Sequence, residues 1–159
     1  CKKNKTIIKD VDLFAALLRA IAQHRSPSSI DVLSDNPFKA ANYKTIKARV
    51  LGLGYIRDER SVEALFGMLN KIGPLQGQGV MQEFRIALMV LTGEDQGESR
   101  QLWIRWWNEN KKTFEVPEKA PRLPEKVQER WDYYWGIYHK KDRGEKREDR
   151  GDDPEDDDA

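Results

Sequence analysis

With one cysteine, at position 1, and two histidines, His24 and His139, this chain has almost nothing with which to build a disulfide or a soft-metal site. Neither histidine is spaced to pair with a second ligand, and no H-E-x-x-H or C-x-x-C occurs, so no metal and no cofactor is expected. Long apolar runs are missing too: none approaches the roughly 20 residues that carry a helix across a bilayer. No stretch reads as a strand. The formal net charge is only +1, and Lys140 to Ala159 hold six Lys/Arg against ten Asp/Glu, a local −4 that leaves +5 for the rest. That surplus falls far short of the dense basic stripe of a dedicated nucleic-acid binder. A catalytic constellation is likewise absent. Ser26, Ser28 and Ser29 suit helix capping, and a nucleophile would need a positioned base. Gly52-Leu53-Gly54 and Gly77-Gln78-Gly79 follow no strand and precede no Lys-Ser/Thr pair, so both are weak as phosphate-loop signals.

What the chain does have is helical periodicity. Phe14, Leu17, Leu18 and Ile21 fall at i, i+3, i+4 and i+7, giving one apolar face to a helix over about 11–24 that Asp10 is placed to cap. Ser26-Pro27 starts a short second helix, with Ser at the N-cap and Pro at the first helical position; Ile30 and Leu33 form its buried side. After the Asn36-Pro37 break a third helix runs to about Ile56, lined by Ile46, Val50 and Leu53, and the glycines within it allow a neighbouring helix to come close. Asp58 caps a fourth, carrying Val62, Leu65, Phe66 and Leu69. The run from Gly73 to Gly79 reads as a loop. A fifth helix presents Val80, Phe84, Ala87, Leu88 and Leu91 and ends at Gly93, a natural left-handed C-cap. A sixth starts near Ser99 and carries Trp103, Trp106 and Trp107, rings suited to burial at the end of the fold. Pro117, Pro121 and Pro124 hold the next segment extended, and a seventh helix shows Val127, Trp131, Tyr134, Trp135 and Tyr138 on one stripe, with Tyr133 and Ile137 off it.

Two stretches 32 residues apart match. IAQHRSPSSIDVL, from Ile21, aligns with LGYIRDERSVEAL, from Leu53, pairing Ile21 with Leu53, Ser26 with Asp58, Ile30 with Val62 and Leu33 with Leu65. A third copy begins at Leu88. A period in the thirties with two helices per unit is the mark of an α-solenoid, because each amphipathic pair hides its apolar face only against the next. The segment Leu53 to Leu65, with Asp58, Arg60, Val62 and Leu65, resembles the repeat core of HEAT-like proteins, including the phycobilisome-lyase type. LTGEDQGESRQLWIRWWNEN, from Leu91, resembles the terminal repeat of many bacterial HEAT-repeat proteins, through Leu91, Thr92, Gly93, Asp95, Gly97, Trp103, Trp106 and Trp107. Gln96 departs from that pattern, standing where an aromatic is usual. The resemblance implies an all-α solenoid of about three stacked helical hairpins plus a C-terminal capping helix, and scaffolding or protein binding with no shared chemistry.

The start, Cys1-Lys2-Lys3-Asn4-Lys5, resembles a mature bacterial lipoprotein, which implies a lipidated Cys1 and a site in the cell envelope or outside the cell. A boundary falling there by accident leaves the cytoplasm as the alternative. The expected organisation is a basic tether over 1–9, a HEAT-like domain over 10–116, a Pro-rich segment with an aromatic helix over 117–140, and a charged, disordered tail over 141–159. The aromatic helix is expected to fold back as a cap on the last repeat. Its functional reading is a surface for a protein partner made by Lys126, Arg130, Trp131, Trp135 and Tyr138. Nucleic-acid or polysaccharide binding through the same basic and aromatic residues is the alternative from another class.

Overall fold

The computed structural model describes residues 10–38 and 42–137, and the tether, Cys1, Tyr138 and the acidic tail lie outside them. The described residues form seven α-helices and no strand: α1 Val11–Gln23, α2 Pro27–Ser34, α3 Tyr43–Tyr55, α4 Glu59–Lys71, α5 Pro74–Thr92, α6 Arg100–Asn110 and α7 Glu125–Trp135.

Local chemistry sets most helix ends. The Asp10 carboxylate accepts from the N–H groups of Asp12 and Leu13, and Asp58 accepts from Arg60. Ser26 occupies the N-cap position of α2, yet its hydroxyl pairs with that of Ser28 and makes no cap bond. Pro27 at the first position starts that helix instead. Helix α3 starts six residues past Pro37, at Tyr43, because Asn42 closes a reciprocal capping box with Thr45. Helix α5 begins at Pro74, so the glycine-rich stretch expected to loop is helical. Proline at the first position costs no hydrogen bond, and the absent side chain at Gly79 faces the Tyr43 ring, where a Cβ would sit 3.7 Å away. Gly93 ends α5 at φ 78°, in the left-handed C-cap conformation.

The helices sort into two rows. In one, α3 packs between α1 and α5; in the other, α4 packs between α2 and α6. Between the rows run Leu18, Leu33, Val50, Leu53, Leu65, Phe84, Leu88 and Leu91, all fully buried. Gly52 and Gly54 let α3 close up on its neighbours α1 and α5 within the first row. A Cβ on Gly52 would lie 3.1 Å from Ala22 Cβ, and one on Gly54 would lie 2.8 Å from the Cα and Cβ of Ala87. Helix α1 departs from its expected face: Leu18 and Ala22 are buried, whereas Leu17 is 43% and Leu13 52% exposed. Its row supplies a neighbour, α3, on one side only, so one flank of its apolar arc stays wet.

Three arginines cap helix C-termini across the fold. Arg49 donates to the carbonyls of Val32 and Leu33, and Arg100 to those of Leu69 and Asn70. Arg57 donates to Val90 and also to Pro117 and Lys119, pinning the extended 111–124 segment to the end of α5. Burial holds the Arg49 and Arg57 guanidinium groups below their ordinary pKa. That segment delivers α7 across the α1–α3–α5 row, where it touches α1 and α3 and lines a cleft together with α5. The expected cap on the last repeat alone is therefore a crosspiece.

Candidate functional site

The repeat motifs read from the sequence come together around two centres. Leu53, Val62 and Leu65 are fully buried, while Asp58 and Arg60 sit at the start of α4, where Arg60 also reaches Asp31 on α2 at 2.7 Å. Leu91, Gly93 and the tryptophans of α6 form the second centre. Trp103 is fully buried and donates its indole N–H to the Gly97 carbonyl at 2.8 Å. Asp95 accepts from the Gly97 N–H and takes a two-pronged bond from Arg85, at 2.8 and 2.6 Å. The Arg85 hydrogen bond, reinforced by the Gly97 N–H, holds the Asp95 carboxyl below the usual carboxylate range. Trp107 stacks on Phe66 with centroids 4.6 Å apart and planes 6° off parallel, and Trp106 packs edge-on to Trp103 and Phe114. These rings pack against one another, and Trp103 ties the loop to α6 through Gly97.

The candidate site is on α7. Lys126 and Arg130 are exposed there, as the partner-surface reading requires. Trp131 and Trp135 are not: they are 8% and 5% exposed, and this part of the expected surface is corrected. Their stripe faces inward because Tyr55 on α3 meets it, with Trp135 at 4.2 Å and Trp131 at 6.2 Å between centroids. Arg19 of α1 covers the Tyr134 and Trp135 rings from the other side. Polysaccharide stacking on these two tryptophans loses its platform. Tyr133, off the stripe, is 87% exposed and is the ring α7 offers to solvent.

Beside Tyr133 a cleft of about 480 Å³ opens between α3, α5 and α7, floored by Leu51 and Ile86 and walled by Trp131 and Tyr134. Glu83 of α5 lines it and is itself 5% exposed. Its Oε1 accepts the Tyr43 hydroxyl at 2.8 Å and lies 3.5 Å from Lys47 Nζ. Its Oε2 is shielded from water and has no hydrogen-bond partner among the described residues. Leaving such a buried acceptor unmade costs about 1–3 kcal/mol, more for a charged group. Lys47 also sits over the Tyr43 and Tyr134 rings. Burial, the bond to Glu83 and its charge push the Tyr43 hydroxyl up to about 12. Burial, partly opposed by Arg19, pushes Tyr134 up to about 12. Both phenols therefore stay protonated at neutral pH, and that of Tyr43 donates to Glu83. No family model matches this chain, and no curated protein or solved structure does either.

Sequence reasoning missed Glu83 and Tyr43, which stand 40 residues apart and belong to no motif. The one available signal was Glu83 directly before Phe84 on an apolar helix stripe. Among the described residues no three His, Cys, Asp or Glu side chains are grouped to hold a metal ion, and no helix is long and apolar enough to cross a membrane.

Proposed function

We propose that this chain is a non-catalytic protein-interaction module: a short α-solenoid of the HEAT-like kind, whose partner meets the face crossed by α7. The observation that carries the reading is the double row, in which α1, α3 and α5 pack in succession and α2, α4 and α6 do the same. Stacked units of that kind generate an extended surface without needing a reactive site. The polar groups at the cleft suit hydrogen-bonded recognition, since Glu83 Oε1 is engaged by Tyr43 and Lys47 and the Tyr43 and Tyr134 phenols hold their protons. Exposed Tyr133, Arg130 and Lys126 give that face a rim of residues suited to protein contact.

A photoreactive phenylalanine analogue placed at Tyr133, and separately at exposed Glu63 on α4, tests the reading in cells. One discrete protein adduct is expected from position 133, weakened by Arg130→Glu, with none from position 63. Adducts of the same pattern from both positions, or none from 133, would count against it. The cell-envelope version rests on Cys1 and its basic spacer. The intact mass of the native protein decides it: an acylated Cys1 supports a membrane tether, and an unmodified thiol removes it.

A further inference from the structure

We propose that the cleft between α3, α5 and α7 receives the indole ring of a tryptophan carried by the partner protein, with Glu83 Oε2 accepting the indole N–H. This rests on the protein-interaction reading above and assigns the chemistry of its contact. Three observations converge. First, the carboxylate is nine-tenths buried and one of its oxygens lacks a donor, while the other is already engaged by Tyr43 and Lys47. The site is thus built for one further donor. Second, the surrounding walls are flat and apolar, with Leu51 and Ile86 below and the rings of Trp131 and Tyr134 beside them. A cleft of about 480 Å³ has the size of ordinary ligand pockets. Third, charge around the opening balances: Lys47 faces Glu83, and Arg130 adjoins Glu129. A charged ligand finds no net attraction there, whereas a neutral donor meets a waiting acceptor.

Among protein side chains, indole is the flat apolar body with a single donor and no acceptor, so it brings no lone pair against the carboxylate. A phenol or a peptide amide brings one. Tryptophan is also the residue most favoured where a buried pocket fixes an interface. Entry requires one wall to yield. The Lys47 ammonium, 3.5 Å from Glu83 and partly exposed, lies beyond the length of a strong charge-assisted bond, and its long unbranched stem can swing aside.

The test is titration of isotope-labelled protein with N-acetyl-tryptophanamide and with its 1-methylindole analogue, followed by NMR. The resonances of Ile86, Trp131 and Tyr134 are expected to move, and the methylated probe to bind about tenfold more weakly. In Glu83→Met the two probes should bind alike. Tyr133→Ala, at an exposed position, should weaken both by the same factor. Equal binding of the two probes to the wild-type protein, or shifts confined to other surfaces, overturns the proposal even where Glu83→Met fails to fold. Free indole binding without N-acetyl-tryptophanamide binding overturns it as well, since the cleft then excludes a ring attached to a chain. A cross-linked partner at position 133 with cleft resonances unmoved by the probes removes the indole assignment and keeps the module. N–H-dependent probe binding with no adduct from position 133 supports the cleft chemistry and counts against the protein-partner reading.

Discussion

Glycine 54 and glycine 67 sit on adjacent helices and have opposite surroundings. A Cβ at Gly54 would meet backbone of α5 at 2.8 Å, while one at Gly67 would meet nothing within 4 Å. Gly54→Ala should therefore destabilise by about 1–3 kcal/mol, and Gly67→Ala should stabilise by up to about 1 kcal/mol through helix propensity. Chemical denaturation of both variants checks the pair. Asp95 supplies a pH-dependent counterpart. Its carboxyl is held low by Arg85 and Gly97, so its contribution is complete above the ordinary carboxylate pKa, about 4, and is lost as pH falls through the lower folded value. Asp95→Asn should lower the thermal midpoint at pH 7, with the gap to wild type closing below about pH 4. A gap that stays constant to pH 2.5 would contradict the clamp. At this scale the sequence was informative where a residue acts on its own backbone, as at Asp10, Asp58 and Gly93. It was silent on Arg49, Arg57 and Arg100, whose targets lie 16 to 62 residues away.

Helix α7 makes the same point with larger pieces. Its period-3.6 stripe announced a buried face, but periodicity says nothing of which helix it faces. Only Tyr55 and Arg19, placed by α3 and α1, turn Trp131 and Trp135 from an expected partner surface into core. Trp135→Ala should consequently cost about 3 kcal/mol, and Tyr133→Ala less than about 0.5 kcal/mol, because one ring is buried and the other is solvated. Comparable losses in urea titrations of the two variants would mean α7 is docked by its other face. Helix α5 shows the opposite error. Gly77 and Gly79 argue locally for a loop, but Pro74 opens a helix there and buried Val80 and Phe84 anchor it in the core, so tertiary packing overrides propensity.

For the whole molecule, the all-helical class and the succession of seven helices were legible because caps and apolar stripes are local signals. The 32-residue match between Ile21–Leu33 and Leu53–Leu65 anticipated that α1 and α3 would be neighbours, as would α2 and α4. The cleft was not legible, since Tyr43, Lys47, Glu83 and Tyr134 come from three helices and share no spacing. Under the proposed function, recognition occurs where α7 crosses the odd-numbered row. Hydrogen exchange of the module with and without the partner captured through position 133 addresses that claim directly. Slowed exchange is expected in α7, in α3 around Lys47 and in α5 around Glu83, with α2, α4 and α6 unchanged. Protection that falls instead on the even-numbered row would contradict it.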